Sequence, residues 1–520
     1  MSRLLLLIIT LTVFLSFFRL GSVTLFDVDE AVFATATKEM VQSGNWITPT
    51  YNGKNRYDKP ILFYWLMAIP YKIFGINEFS ARVPSAVAAS LLVPALFLFI
   101  RRFENEEKAL YATLSFTLSI YFLLYSHAAV TDMTLTLFIT LSLICFYLSV
   151  IEEKSGRINW YIYGFYLFSA LAFLTKGLIG MVFPFAIALI YLFITEGLRG
   201  IQKAISLKGA VLFVVVSAPW YVIEFMINGN EFVQQFFIKH HFIRYTEVIS
   251  GHTGPLYYYI PVLIGGLFPW VAFLPAGIRS VFRGKERLGL FAFIWMVVVI
   301  VFFSLSTTKL PNYILPAIPA TSILISFGMD AQDRWIRHAN VFIAFVTLCI
   351  GLAFLVSKKY LLEFGLQNAH WIIPFGVVML VASVLRLYAA FRKKTFYGLL
   401  SALTGAFLLV LSIEAFPAAN AYLQGTLYRY SLCARERLGD DEPLITYGLN
   451  NPSIVFYSGH KVIEAGSKDE LATLLKNEAH ALVITRAGDI DSAKDAGLKV
   501  VADDGRFAML ERGSGIAAKR

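Results

Sequence analysis

The sequence has few charged residues and almost no cysteine, and both shortages narrow the class of protein. Only 15% of its 520 residues are charged and 57% are hydrophobic, whereas roughly a quarter of an average soluble protein is charged. The three cysteines, Cys145, Cys349 and Cys433, offer neither a disulfide framework nor a metal site. Basic stripes with interleaved aromatic residues are also missing, so the net charge of +10 is no argument for nucleic-acid binding. The mean hydropathy of +0.65 instead indicates a membrane protein.

Apolar runs long enough to cross a membrane recur along the chain. A helix needs about 18 or more apolar residues to cover a hydrocarbon core roughly 30 Å thick. About thirteen runs meet that need, near 4–24, 84–101, 109–127, 131–151, 158–175, 178–195, 207–227, 256–278, 288–306, 312–329, 340–357, 371–388 and 397–415. No small-residue cleavage site follows the first run, so we interpret it as an uncleaved span. The predicted fold class is a polytopic α-helical membrane protein.

The distribution of lysine and arginine predicts the orientation. If the N-terminus is cytoplasmic, the basic connectors also face the cytoplasm, as the positive-inside tendency requires. These connectors contain Arg101-Arg102, Arg279–Arg287 and Arg392–Lys394. The opposite side then receives the loop 25–83, residues 228–255 and everything after residue 416. We therefore expect the functional site on the outer side of the membrane.

Composition changes after the last span. Residues 441–512 alternate short β-like runs with a helix-like segment, which is the pattern of a small α/β domain. The predicted strands are Leu444–Tyr447, Ile454–Tyr457, Ala481–Thr485, Leu498–Val501 and Phe507–Leu510, and the predicted helix is Lys468–Asn477. No nucleotide-binding motif occurs there, so we expect an extracytoplasmic lid or docking module rather than a nucleotide site. The chain thus divides into a transmembrane domain, 1–416, and an outer α/β domain, 417–520.

The loop 25–83 concentrates acids in a chain that is otherwise poor in charge. Asp27, Asp29 and Glu30 lie within four residues of one another. Helix capping and stabilisation of the helix dipole would account for one acid. Three acids also suit a catalytic carboxylate that takes a proton from an attacking hydroxyl. The residues alone leave both interpretations open.

Two helices are predicted inside this loop. Ala31–Ser43 has helical character, with Asp29 as its N-cap and Gly44 as its stop. Ile61–Phe74 is apolar and rich in aromatic residues but too short to span. We expect it to lie at the membrane interface.

Other charged clusters fall on the same predicted side. Tyr57-Asp58-Lys59-Pro60 is either a surface turn or a phosphate contact through Lys59. Ser306–Tyr313, which contains Lys309, is either a plain span end or a further cation of the site. Asp132, in a short outer turn, adds one more acid.

A histidine-containing cluster lies in the outer loop after the seventh span. Lys239–Tyr245 contains His240, His241 and Arg244. It is either a solvated basic patch at the level of the headgroups, or an anion cradle or a His–carboxylate metal site. Together, the outer acids and cations suit transfer from a polyprenyl phosphate, in which cations stabilise the leaving phosphate and a carboxylate deprotonates the acceptor.

These motifs resemble those of the C-type (GT-C fold) integral membrane glycosyltransferases. More narrowly, they resemble the lipid A aminoarabinose transferase branch, which is related to protein O-mannosyltransferases. The motifs that carry the resemblance are Asp27-Val28-Asp29-Glu30, Ser43–Pro49, Tyr57–Pro60, Phe74-Gly75, Arg82, Thr131-Asp132, His240–Arg244 and Lys309–Tyr313. The resemblance covers essentially the whole chain. It implies an inverting transfer of a sugar, such as 4-amino-4-deoxy-L-arabinose, from an undecaprenyl-phosphate carrier to lipid A or a related envelope acceptor, on the outer face of the inner membrane.

The resemblance also implies roles for individual residues. Asp29 takes the catalytic position, with Glu30 and Asp27 beside it. The donor phosphate is expected to contact Lys59, Tyr57, Arg244, Lys309 and Tyr313. Asp58 replaces a glutamate of that branch, and with His240 or His241 it is expected to hold a divalent metal such as Zn, Mn or Mg. No nucleotide is expected. One departure is Val32, where that branch commonly has arginine, and this leaves the details of phosphate binding open.

Two other functions fit parts of the sequence. A protein O-mannosyltransferase or another envelope-glycan transferase would use the same site, but the familiar protein mannosyltransferases carry their extra domain in a central loop. A lipid-sugar transporter would place polar residues at the middle of its spans, whereas the charges here gather at one outer boundary.

Overall fold

A computed structural model describes residues 3–152, 159–236, 253–330, 334–363, 372–392, 397–439, 442–476, 478 and 480–513. Its α-helices are Arg3–Phe17, Asp29–Ser43, Leu62–Phe74, Glu78–Phe103, Glu106–Thr117, Ile120–Ser126, Asp132–Ile151, Trp160–Lys176, Leu178–Glu196, Leu207–Phe232, Tyr259–Leu267, Leu274–Gly284, Arg287–Leu305, Ile318–Asp330, Arg334–Glu363, Ile372–Arg392, Tyr397–Val410, Phe416–Leu423, Gly425–Arg437, Pro452–Ser458, Lys468–Lys476 and Ile490–Lys494. Short 3₁₀ helices lie at Gly200–Ala204, Trp270–Phe273, Pro311–Ala317 and Ala487–Asp489. The strands are β1 (Thr50–Tyr51), β2 (Lys54–Asn55), β3 (Leu444–Tyr447), β4 (Val462–Ala465), β5 (Ala481–Arg486), β6 (Lys499–Asp503) and β7 (Phe507–Arg512).

The helices confirm the predicted class of polytopic membrane protein. Among the described residues, eight helices are long and apolar enough to cross a membrane, and two bent pairs raise that number to ten. Every one of the predicted apolar runs overlaps a helix. The remaining three runs correspond to Arg3–Phe17, Trp160–Lys176 and Ile372–Arg392, of which the first two have 15 and 17 residues. The runs 158–175 and 178–195 form a tight hairpin, since Gly177 alone separates their two helices.

The chain forms two compact units. The first contains Met1–Arg19, Tyr57–Phe63 and Val83–Glu414, and the second contains Leu20–Arg56, Tyr64–Arg82 and Ala415–Arg520. The division predicted at residue 416 lies close to the last of these boundaries. The second unit, however, also takes in most of the first outer loop, so that loop and the C-terminal residues fold as one body.

Close helix packing holds the first unit together. Helices Leu274–Gly284 and Ile318–Asp330 pack closely at Gly277 and Gly328. A Cβ on Gly277 would lie 1.9 Å from the Leu324 carbonyl oxygen, and a Cβ on Gly328 would lie 2.1 Å from that of Phe273, the N-cap of the first helix. Such small-residue contacts let membrane helices approach closely where the hydrophobic effect contributes little between them. The buried indole N–H of Trp270 donates to the Leu118 carbonyl at 2.8 Å, which satisfies a polar group away from water.

A five-stranded sheet forms the C-terminal part of the second unit. Its strand order is β4-β3-β5-β7-β6. Strands β4, β3 and β5 are parallel to one another, and β7 runs antiparallel to both of its neighbours, β5 and β6. Successive residues on β3, Leu444 and Ile445, belong to different apolar clusters, one on each face of the sheet. Both faces are therefore covered, as parallel strands require.

Two secondary-structure predictions in this sheet are wrong. Ile454–Tyr457 was predicted as a strand but lies in the helix Pro452–Ser458, and the strand β4 was not predicted. A short apolar run is ambiguous between strand and buried helix. Here Pro452 at the first turn and Gly459 at the C-cap, with φ of 72°, fix the helix.

The first outer loop follows its prediction with one difference. The helix begins at Asp29, so that acid lies in the first turn, and the N-cap position belongs to Val28. Gly44 ends the helix with φ of 73°, as predicted. An Asn52-Gly53 turn, with both residues at positive φ, joins β1 to β2, as is typical of a tight hairpin. The helix predicted at 61–74 is Leu62–Phe74, and its place at the membrane interface stays a prediction.

We expect residues 417–520 to lie outside the cytoplasm, because about thirteen spans starting from a cytoplasmic N-terminus end outside. A reporter that is active only outside the cytoplasm, fused after residue 416, should therefore be active. The same reporter fused after residue 285, in a basic connector, should be inactive. Activity of the second fusion alone would reverse the predicted orientation.

Candidate functional site

A buried ion pair joins three connectors of the first unit. Asp132 is the first residue of one helix and Lys176 the last residue of another, which suits each charge to its helix end. The Lys176 Nζ lies 2.5 Å from the Asp132 Oδ1, and the two side chains are 9% and 4% exposed. Asn312 Nδ2 donates to the same oxygen at 3.2 Å. The Lys176 ammonium also lies 5.7 Å from the centre of the Tyr313 ring. Connectors that were predicted to share the outer side therefore meet.

Lys309 is a second buried lysine in the connector that carries Asn312. Its side chain is almost fully enclosed, and its Nζ donates to the Ser306 carbonyl oxygen at 2.5 Å. Its stem packs closely against residue 254, since a Cβ on Gly254 would lie 3.1 Å from the Lys309 Cδ. Within the described part of the chain, no carboxylate pairs with this ammonium. A buried cation with a carbonyl as its acceptor lacks compensating charge, so an anion would stabilise it.

The segment Tyr57–Phe63 belongs to the first unit and carries the predicted donor contacts of the first loop. Tyr57 is buried, with its ring centre 5.9 Å from that of Phe232. Lys59 is half-buried, and its Nζ donates to the carbonyl oxygen of Asp58 at 3.1 Å. The lysine thus folds back along its own backbone, and its contact with phosphate stays a prediction.

Glu30 forms a buried bidentate ion pair with Arg82 in the second unit. The Arg82 Nε donates to Oε1 at 3.0 Å and Nη2 to Oε2 at 2.9 Å. The Phe26 N–H donates to Oε2 at 2.9 Å. The remaining guanidinium N–H groups donate to the carbonyl oxygens of Leu20, Val23 and Thr24. All five donors of the arginine have acceptors, so this pair holds the loop in a fixed path.

Asp27 is held by C-terminal residues of the same unit. Its Oδ1 accepts from the Ser453 N–H at 2.7 Å, and its Oδ2 accepts from the Ser453 hydroxyl at 2.6 Å and the Asn451 amide at 3.0 Å. The Gln424 amide nitrogen, oriented toward the carboxylate, adds a bond at 2.9 Å. Burial raises the pKa of the Asp27 carboxyl above its ordinary range, and the hydrogen bonds from Ser453 and Asn451 oppose that rise.

Asp29 differs from its two neighbours. It is exposed, and within the described residues its carboxylate has no hydrogen-bond partner. Its lone pairs are therefore available to a hydroxyl from outside, whereas those of Asp27 and Glu30 accept bonds from the protein. This geometry makes Asp29 the acid best suited to general-base chemistry.

The remaining predicted residues lie outside the described part of the chain. These are His240, His241 and Arg244. Among the residues that the structure does describe, no group of three or more histidine, cysteine, aspartate or glutamate side chains could hold a metal ion. The metal site predicted for Asp58 with a histidine therefore stays a prediction.

Sequence reasoning missed the partners of the predicted acids. Lys176 received no role, and Asn312 appeared only within the motif Lys309–Tyr313. Arg82 was noted in the resemblance but received no role. The available signal was charge at an apolar boundary, since a lysine beside Gly177 and an arginine just before the run 84–101 both need partners in a membrane protein.

Comparisons with known proteins find similarity to membrane glycosyltransferases. Residues 58–223 match the family described as dolichyl-phosphate-mannose-protein mannosyltransferase. An uncharacterised protein of Aquifex aeolicus is 34% identical over 348 residues, which are 66% of this chain and 78% of that protein. An undecaprenyl phosphate-alpha-4-amino-4-deoxy-L-arabinose arabinosyl transferase 1 of Pseudomonas fluorescens is 29% identical over 405 residues, 76% of this chain and 72% of that enzyme.

Another relative and a solved structure complete the comparison. An arabinosyl transferase 2 of Pseudomonas fluorescens is 29% identical over 64% of this chain, but the match spans only 57% of that enzyme's length. ArnT from Cupriavidus metallidurans, in a crystal structure bound to undecaprenyl phosphate, aligns over 99% of both chains with a TM-score of 0.84 at 23% identity. At that identity the likeness establishes a common fold.

We expect Lys176→Met to destabilise the protein by about 3–5 kcal/mol, because it leaves the Asp132 carboxylate buried without its cation. Adding Asp132→Asn should recover part of the loss, since neither group is then charged. Unfolding in detergent would measure both effects. The matched control is Lys203→Met, which breaks an exposed pair with Glu196 and should cost at most about 1 kcal/mol. Equal losses at both sites would contradict a buried pair.

Proposed function

The chain belongs to the GT-C-fold membrane glycosyltransferases of the lipid A aminoarabinose transferase and protein O-mannosyltransferase type, and from this premise we propose what it transfers and to what. The donor is a sugar, such as 4-amino-4-deoxy-L-arabinose, on an undecaprenyl-phosphate carrier. The acceptor is lipid A or a related envelope lipid, and the reaction takes place on the periplasmic face of the bacterial inner membrane. The relatives that are named for this transfer, one of them matched over 76% of this chain, support the proposal.

The buried Lys309 ammonium is the structural observation that carries the donor assignment. Its only recorded acceptor within the described residues is a carbonyl oxygen, so a phosphate would supply the missing negative charge. A lipid phosphate suits that position because the surrounding helices are apolar, and an attached prenyl chain would remain in the membrane. In this proposal Lys59, Arg244 and Lys309 stabilise the charge that develops on the leaving phosphate, and Tyr57 and Tyr313 orient it.

The proposed reaction is a direct displacement with inversion. The Asp29 carboxylate takes the proton from the acceptor hydroxyl as its oxygen attacks the anomeric carbon of the sugar. The bond between that carbon and the phosphate oxygen breaks, and undecaprenyl phosphate leaves. Asp27 and Glu30 do not act as the base in this scheme, because both carboxylates are occupied by protein hydrogen bonds. A divalent metal on Asp58 and a histidine remains part of the proposal, but no step is assigned to it.

A protein acceptor is the second candidate, and the family matched by residues 58–223 supports it. Mass spectrometry of lipid A and of envelope glycoproteins from a deletion strain separates the two. Loss of a sugar from lipid A, restored by the plasmid-borne gene, supports the lipid acceptor. Loss of glycan from proteins with unchanged lipid A selects the alternative, and no change in either class would contradict the transfer itself.

We expect Asp29→Asn to lower turnover by about 10²–10⁴-fold, since the amide keeps the size of the side chain but cannot accept the proton. The rate of transfer by purified protein in detergent measures this. The control is Asp491→Asn, which removes an acid that is 97% exposed and should leave turnover unchanged. Near-normal activity of Asp29→Asn would move the base to Asp27 or Glu30.

We expect Lys59→Ala and Lys309→Ala to impair use of the lipid donor more than use of the acceptor, because each removes a cation from the leaving phosphate. Steady-state kinetics with each substrate varied in turn would measure this difference. Lys54→Ala, which removes an exposed lysine of the same loop, is the control. If kcat and KM for the donor are unchanged in Lys59→Ala, Lys59 does not contact the phosphate and serves only as a headgroup anchor.

A further inference from the structure

The segment just before Asp29 is attached to C-terminal residues at successive positions. Thr24 bonds to Asn420 three times, through its N–H, hydroxyl and carbonyl groups, at 2.8–3.2 Å. The Leu25 N–H donates to the Tyr457 hydroxyl at 2.8 Å. Asp27 takes the bonds from Ser453 and Asn451 described above. These contacts lie within one compact unit, and residues remote in sequence therefore fix the backbone that enters Asp29.

The short helix Pro452–Ser458 is held by the first loop at both of its ends. At its N-terminal end, the Asp27 carboxylate accepts the Ser453 N–H. At its C-terminal end, the Lys38 ammonium donates to the Phe456 carbonyl oxygen at 3.0 Å and lies 5.4 Å from the Phe456 ring centre. An acid at the positive end and a base at the negative end of a helix dipole both stabilise it.

Further bonds join the same helix to the Glu30–Arg82 pair. The Tyr457 hydroxyl, which accepts from Leu25, donates to the Glu78 carboxylate at 2.9 Å. Glu78 lies one helical turn before Arg82, which binds Glu30 and the carbonyls of the same loop. The loop backbone at residues 23–27 is thus bonded on one side to Arg82 and on the other to Pro452–Ser458.

We infer that Asp27 and the helix Pro452–Ser458 are positioning elements for Asp29, and that the C-terminal residues set the geometry of the catalytic loop in addition to any role in docking. This inference rests on the proposed function, in which Asp29 is the base. The Asp29 carboxylate is exposed and has no hydrogen-bond partner within the described residues, so the backbone that carries it decides where the carboxylate lies. A shift of about 1 Å in a reacting group can cost on the order of 10²-fold in rate.

The experiment compares Ser453→Ala, Asn451→Ala and the double variant with wild type. Each single variant removes one hydrogen-bond donor to Asp27. We expect kcat to fall about 10-fold in each single variant and about 10²-fold in the double variant, with KM for the sugar donor and the acceptor little changed. Ser453→Thr keeps the hydroxyl and should restore kcat. The control is Thr485→Val, which removes a buried hydrogen bond to Tyr447 in the same sheet without touching the loop, and it should leave kcat near wild type.

A second measurement does not depend on activity. Hydrogen exchange of the amides at residues 24–33 should quicken in the double variant, while those of β5 stay protected. A raised acceptor KM with unchanged kcat would make the C-terminal residues a docking surface and overturn the inference. An equal loss of kcat in Thr485→Val would mean that the losses reflect general destabilisation, and it would also overturn the inference. If the wild-type protein transfers no sugar, the proposed function is wrong. Independently of that result, unchanged hydrogen exchange at residues 24–33 in the double variant would show that Ser453 and Asn451 do not hold the loop, and would overturn the inference.

Discussion

The ion pair between Glu30 and Arg82 is the interaction on which the first outer loop depends. Removing both charges from water is costly, and their attraction offsets the cost only if every remaining donor and acceptor is satisfied. Here the guanidinium uses all five of its N–H groups, two on the carboxylate and three on backbone carbonyls of residues 20–24. The pair therefore acts as a template for backbone that has no regular secondary structure. Loss of either partner would release the chain on both sides of Asp29.

The three acids of the loop divide into different physical roles although they lie within four residues. Glu30 and Asp27 are directed inward, one to an arginine and the other to the start of a helix, and Asp29 lies between them in exposed backbone. A lone exposed carboxylate on a mobile turn would be a poor base, because its position would vary. The two flanking anchors fix the backbone that carries the exposed carboxylate, which suits the general-base role proposed for Asp29.

The sequence predicted those features of the fold that depend on residues close together in the chain. The apolar runs became helices, and Gly44 ended its helix. The partners of the acids were not predictable, because Asp27 is 424 residues from Asn451 and Glu30 is 52 residues from Arg82. The helix Pro452–Ser458 was misread as a strand for a related reason: its apolar side chains are buried against neighbours that the local sequence does not reveal. A single sequence can thus identify acids that need partners, but not the partners themselves.

The two buried lysines of the first unit differ in whether a carboxylate neutralises their charge. Lys176 has a carboxylate at 2.5 Å, so that pair is neutral and needs nothing more. Lys309 is equally enclosed and lies in the connector that supplies Asn312 to the same carboxylate, but its acceptor is a carbonyl. Asp132 is already shared between Lys176 and Asn312 and cannot also neutralise Lys309. Within the described residues, one positive charge therefore has no carboxylate to compensate it. Because a buried cation is retained only at a cost, the proposed lipid-phosphate donor, which combines an anion with an apolar chain, would account for keeping it.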